Sequence, residues 1–225
     1  MQSIHGLPIA TSLEEACDPR RLALLIYDMQ VGICQQVSCG PAITEACKRL
    51  RDRCRAASVP VAYSRHLSLP THWMGPFQTR MAMAWQRVDD PDAVKPWFLR
   101  GAEGFQLVRD LTPTEDEFVF DKLAMSAFEG TPLQFALRDR GITTLAICGI
   151  ALEIGIEPTV RHAADLGIVP VVVADACGAG NEEAGKRSFD QLRFIGDALI
   201  TNEATFCAAL TASASKINNR FEVSL

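Results

Sequence analysis

Six apolar runs recur along this chain, and most are followed by a segment with helical spacing. They are LALLIYD (22–28), PVAYSRH (60–66), EFVFDK (117–122), TTLAICGI (143–150), VPVVVADAC (169–177) and ALIT (198–201). Near-continuous apolar runs of this length read as strands covered on both faces, which is the burial pattern of a parallel sheet. Their alternation with helices predicts an α/β fold, a three-layer α/β/α Rossmann-like architecture with a mostly parallel six-stranded sheet.

The intervening segments carry helix signals of their own. In TEACKRLRDRCRAAS (44–58), Ala46, Leu50 and Cys54 share a face with Cys47 beside them, the stripe of a helix packed on a sheet. TPLQFALRDRG (131–141) has Thr131 as cap, Pro132 at the first position and Gly141 as stop. A helix from about 155 to 166 is bounded by Pro158 in its first turn and by Gly167. Two more are expected over 182–197 and 203–213. Residues 67–116 hold Pro70, Pro76, Pro91, Pro96 and Pro113 together with Trp73, Trp85 and Trp97, all three tryptophans of the chain. This is read as a long excursion with short helices that covers a site or an oligomer interface.

Composition narrows the function classes. With 225 residues, 48% of them hydrophobic, one domain (1–225) with an N-terminal arm of about twenty residues is expected. A net charge of −5 gives no basic stripe, so nucleic acid is not an expected partner. No basic-then-apolar leader opens the chain and no apolar run reaches about eighteen residues, so a cytoplasmic protein without membrane association is expected. The eight cysteines have neither CxxC nor zinc spacing and are expected to be reduced, mostly buried thiols.

In open α/β sheets, ligands bind beyond the carboxyl ends of the strands. Three features close strands there: Asp28, Lys122, and the stretch CGIALEIGIEPT (148–159). An acid and an amine brought together at that edge can hold each other ionised and move protons. Taken singly, Asp28 could cap a turn and Lys122 could be a solvated strand end. Glu153 and Glu157 could orient a water or bind a cationic group. Alternatively, Glu157 simply favours the positive end of the following helix.

The order of these motifs adds to the reading. "LLIYDMQ", "FDKLAMSAF" and "ICGIALEIGIEPTVRHAADLG" followed by "PVVVADAC" together resemble the isochorismatase-like hydrolase superfamily over about residues 20–210. In most of its members Asp, Lys and Cys form the catalytic set, the cysteine lying in a G-V-x-T-x-x-C-V-x-x-T-A-x-x-A pattern. Laid on this chain, Gly149, Thr159 and Ala163 match, Asp28 and Lys122 supply the first two catalytic groups, and Gly155 falls where the cysteine would stand. The resemblance further implies a cis peptide at Ile150–Ala151 that helps form a polar cradle, and a homo-oligomer, dimer or tetramer.

Glycine cannot form a thioester, so the covalent route is closed at this position. Cys177 and Cys34 lie near the same edge, but ordinary packing accounts for both. A branch of the superfamily, the true isochorismatases, also has glycine here and resembles this chain in Ser126–Phe128, which makes Phe128 a candidate substrate contact. This chain departs from that branch at Leu123, Ala124 and Glu153, where the branch carries Trp, Arg and His. His66 and His72 resemble the metal site of nicotinamidases, but Ser64 stands at the carboxylate position. No metal or other cofactor is therefore expected, and His66 is read as a substrate contact.

The expected function is hydrolysis of a small polar molecule by non-covalent acid/base catalysis. Asp28, Lys122 and Gly155 form the catalytic centre, with Ile150, Ala151, Glu153, Phe128, His66 and Glu157 around the substrate. The alternatives are an amidohydrolase that activates water through Asp28 or Glu153, and a non-catalytic binding or regulatory homologue.

Overall fold

A computed structural model describes residues 2–222. The chain opens with a hairpin, β1 (Gln2–Ile4) and β2 (Leu7–Ile9), and a short helix α1 (Leu13–Ala16). It continues through β3 (Leu22–Tyr27), α2 (Val31–Cys34), α3 (Gly40–Ala56), β4 (Val61–His66), α4 (Pro76–Gln86), β5 (Phe118–Lys122) and α5 (Leu133–Asp139). The last third comprises β6 (Thr144–Ile150), a π-helical turn (Leu152–Ile156), α6 (Glu157–Asp165), β7 (Val169–Gly178), α7 (Glu182–Ile195), β8 (Leu199–Thr201) and α8 (Glu203–Glu222).

Strands β3 to β8 form one six-stranded sheet in the order β5-β4-β3-β6-β7-β8, and every pair in it is parallel. The strand order reverses between β3 and β6. A crevice opens beyond the carboxyl ends of the strands at such a point, and it is where Asp28 and the 150–155 stretch emerge.

Side chains alternate along β3. Leu22, Leu24 and Ile26 join one core with Leu50 and Cys54 of α3 and with Phe206 and Leu210 of α8. Ala23, Leu25 and Tyr27 join the other, with Leu133, Val160 and Leu192 from α5, α6 and α7. Both faces of the strand are thus covered, which explains why it reads as a continuous apolar run rather than an alternating one.

The structure differs from the sequence reading in three places. Helix α5 begins at Leu133, with Pro132 just before it rather than inside its first turn; the Thr131 hydroxyl accepts from Leu133 N–H at 3.3 Å and donates back to the Ala127 carbonyl at 2.6 Å. The helix expected from about 155 begins instead at Glu157. The Ala151 carbonyl accepts from both Gly155 N–H (3.0 Å) and Ile156 N–H (3.1 Å), widening the first turn into a π-helix. Helix α8 runs to Glu222 rather than ending near 213, because its polar second half lacks the apolar spacing that would have marked it.

The excursion between β4 and β5 contains one α-helix, α4, and several single 3₁₀ turns. It is pinned to the sheet at both ends. Leu67 N–H donates to the Lys122 carbonyl at 2.8 Å, while Val31 N–H bonds Gln106 O (2.8 Å) and Val108 N–H bonds Met29 O (3.0 Å). The buried Gln30 side chain adds a clamp, bonding the His66 backbone on both its N–H (2.6 Å) and carbonyl (3.0 Å), and the Phe105 carbonyl at 2.9 Å.

Candidate active site

Asp28 follows β3 directly and Lys122 ends β5, with β4 between them. Register pairs His66 with Lys122, so the chain ends on these three strands lie level. Asp28 adopts φ +47°, a left-handed conformation that Asp tolerates better than most residues, and this turns the chain sharply out of the strand. Its two oxygens are both engaged. Oδ2 meets Lys122 Nζ at 2.7 Å, and Oδ1 accepts from the Ser64 hydroxyl at 2.6 Å. Lys122 also donates to the Ala124 carbonyl at 3.1 Å and lies 4.4 Å from the centre of the Tyr27 ring. Asp28, Ser64 and Lys122 are all buried, and each charge has a partner, as burial of ions requires.

This pair forms the floor of a cleft of about 250 Å³. Ile150 and Ala151, joined by a cis peptide bond, line one side with Ile154 and Gly180. The excursion supplies the opposite wall: Trp85, Trp97 and Phe98, with His66 packed edge-on against Trp85 (6.2 Å between centroids) and Phe98 (5.7 Å). No cysteine lines this cleft among the described residues. Cys177 lies in the core beneath, and burial pushes its thiol well above the ordinary range; Cys34 is likewise buried and pushed up to about 11. Such thiols are poor nucleophiles.

Gly155 has a neighbour that its sequence did not reveal. A Cβ built on it would stand 1.8 Å from the Tyr27 hydroxyl and 2.3 Å from Cζ, so the phenol fills the space a side chain would take. Tyr27 is held from other directions too. Its hydroxyl donates to the Met125 carbonyl, and Gly149 passes so close that a Cβ there would meet the Tyr27 carbonyl at 2.1 Å. Gly149 also has φ +124°, which makes glycine necessary on two counts.

Three residues read as substrate contacts lie elsewhere. Phe128 is buried in the core against His162, because the chain after Met125 turns down under α5. Glu157 faces α7 rather than the cleft, pairing with Arg161 at 2.8 Å and accepting from the Ser188 hydroxyl. Glu153 holds the loop after β7: its Oε1 accepts from Gly180 N–H (2.8 Å) and Asn181 N–H (2.9 Å). The glycine-rich turn at 178–181 thus gives two of its amides to a carboxylate of its own chain. His72 is exposed and does not line the cleft. Conversely, Tyr27, Ser64 and Gln30 carry the site without having been picked out. Ser64 had a signal available, as the lone small polar residue in an otherwise apolar buried stretch of its strand.

Burial and the nearby Lys122 ammonium pull His66 down from 6.5 to about 4. The neutral ring is thus the folded form, and the unfolded chain takes up a proton first on acidification. The stability that His66 contributes is full above about pH 6.5 and is lost as pH falls towards 4. Urea midpoints measured between pH 7 and 4.5 are expected to fall, and His66→Gln is expected to flatten that fall.

Fold and site define a class: a three-layer α/β scaffold with an acid and an amine paired at the carboxyl edge of its parallel sheet. Residues 22–204 match the isochorismatase domain family, and the chain belongs to that family. Among relatives, it is 30% identical over 174 residues to YecD, an uncharacterised isochorismatase family protein of Escherichia coli O157:H7, covering 76% of this chain and 86% of the relative. It is also 30% identical to enterobactin synthase component B of E. coli K12 over 182 residues, 76% of this chain and 57% of that protein. A cysteine hydrolase of Pseudomonas syringae pv. phaseolicola 1448A shares the fold, with a TM-score of 0.75 at 22% identity, covering 87% of this chain and 94% of that one.

Proposed function

We propose that this chain hydrolyses a small molecule by acid/base catalysis without a covalent intermediate, with Asp28 and Lys122 as the working pair. One observation carries the reading: a buried acid–amine pair at 2.7 Å floors a cleft that no thiol lines among the described residues. Both Asp28 oxygens accept hydrogen bonds from donors, the arrangement of a carboxylate acting as acceptor and base. Asp28 would take a proton from water and pass it on to the leaving group, while Lys122 would stabilise negative charge on the substrate. Hydrolysis of a C–N bond follows from this polarity more directly than protonation of a vinyl-ether carbon, which needs Asp28 as an acid. The polar reacting end of the substrate would sit on the floor and a flat apolar body against Trp85, Trp97 and Phe98.

Turnover of a panel of primary amides, N-carbamoyl compounds and vinyl ethers, isochorismate included, tests this. Asp28→Asn is expected to reduce kcat at least about 100-fold on whichever substrate is hydrolysed. Hydrolysis of vinyl ethers alone would reverse the role given to Asp28, and binding without turnover would make the chain a non-catalytic relative. Rapid loss of activity on iodoacetamide modification of Cys34 or Cys177 would overturn the non-covalent route.

A further inference from the structure

The residue before the acid is the one whose position asks for a role. Tyr27 is 2% exposed, yet it lines the cleft floor beside Asp28 and beneath the Lys122 ammonium. Its oxygen stands 1.8 Å from where a Cβ of Gly155 would be. A phenol in that place could be filler, holding the π-helical turn away from β3. Two details say more. The hydroxyl donates to the Met125 carbonyl and stands close beside the Asp28 carboxylate, so with its proton directed at Met125 the oxygen keeps a lone pair with which to accept. Burial and the neighbouring Asp28 also push this phenol well above its ordinary range, so the oxygen stays a neutral hydroxyl throughout the working pH range.

We propose that Tyr27 is a positioning residue for the attacking water, its oxygen and the Asp28 carboxylate together accepting the two hydrogens of that water. A water has two O–H donors, and the floor of the cleft then has two acceptors side by side to receive them, while Lys122 faces the substrate as a donor. The inference rests on the acid/base reading above. In the step it describes, the water oxygen bonds to the substrate's carbonyl carbon as one water proton passes to Asp28. The resulting tetrahedral intermediate breaks its bond to the leaving nitrogen, which departs with that proton. The products are the carboxylic acid and the amine, with Asp28 returned to its carboxylate, so no co-reactant beyond water is consumed. Because the Tyr27 proton stays on the phenol, donated to the Met125 carbonyl, the phenol neither gains nor loses charge.

The test compares wild type, Tyr27→Phe and Asp28→Asn in the full chain, using nicotinamide, an N-carbamoyl amino acid and isochorismate as substrates. Phenylalanine keeps the ring under Lys122 and removes the hydroxyl, and with it both the acceptor and the bond to the Met125 carbonyl. Tyr27→Phe is expected to lower kcat about 10- to 100-fold while KM stays within about twofold. With hydroxylamine added as a competing nucleophile, the share of hydroxamate product is expected to rise in Tyr27→Phe, since only water is deprived of its second acceptor. A filler role would shift the melting temperature or KM and leave that partition unchanged. The proposal is overturned if kcat for Tyr27→Phe stays within twofold of wild type, or if the hydroxamate share does not move. If Asp28→Asn keeps wild-type turnover, the acid/base reading itself fails. If Asp28→Asn is inactive and Tyr27→Phe is normal, only the role of Tyr27 falls.

Discussion

Gly155→Cys is expected to destabilise the protein without yielding an acyl-enzyme. The Cβ of any side chain at 155 would lie 1.8 Å from the Tyr27 hydroxyl and 2.6 Å from Cε1, distances no rotamer of the new residue can change. The ring cannot simply swing away, since it is bracketed by Lys122 on its face, Met125 at its hydroxyl and Gly149 at its backbone. Overpacking a buried site usually costs about 1–3 kcal/mol, and a contact this short on a fixed ring falls at or above the top of that range. Thermal or urea denaturation measures the loss. Tyr27→Ala alone removes a buried ring, at about 3–5 kcal/mol by analogy with other aromatic truncations. Combined with Gly155→Cys it should cost less than the two changes added together, because the thiol enters the space the phenol leaves. A coupling of about 1–3 kcal/mol in that cycle, with a thiol at 155 that iodoacetamide now modifies, is the expected outcome. A Gly155→Cys protein that melts like the wild type would show that the phenol yields, and the close packing inferred for this pair would be wrong.

Lys122→Ala is expected to be the more damaging change. It leaves Asp28 buried with the Ser64 hydroxyl as its remaining side-chain partner, and removing one member of a buried ion pair costs about 3–5 kcal/mol. Asp28→Asn with Lys122→Met replaces the charges with neutral groups of similar size. That double variant should be more stable than Lys122→Ala even though it alters more of the site, because no uncompensated charge is left in the interior. Both should be inactive. Equilibrium urea unfolding separates the two effects, and a loss below about 1 kcal/mol for Lys122→Ala would mean that water reaches Asp28 freely.

Much of the architecture was legible because it follows from local pattern. Continuous apolar runs mark strands covered on both faces, and the run ends at 28 and 122 locate the acid and the amine, which the sheet then brings within 2.7 Å. What was not legible depends on contacts between distant segments. Tyr27 reads as the last apolar residue of a strand, and nothing near it in the chain says that its hydroxyl fills the space over a glycine 128 positions later. An absent side chain is visible in a sequence, but what occupies its place is not. Glu153 reads as a free acid at a helix start until β7 delivers the amides of Gly180 and Asn181 to it. Phe128 and Glu157 have the right chemistry for the cleft, yet a change of chain direction after Met125 and the approach of α7 aim them elsewhere.

The excursion between β4 and β5 divides the site into two parts of different origin. The buried acid–amine pair comes from the sheet and its immediate turns, whereas Trp85, Trp97 and Phe98 come from a segment fastened at Leu67 and at Gln106–Val108. Its anchors are main-chain bonds and the Gln30 amide, reinforced by the Arg100–Asp121 ion pair and by the buried side chains of Phe105 and Leu111. On the proposed reading, the groups that would react and the groups that would select the substrate lie on different stretches of chain. Changing Trp85 or Trp97 is therefore expected to redraw the shape of molecule admitted while the Asp28–Lys122 pair beneath keeps its geometry.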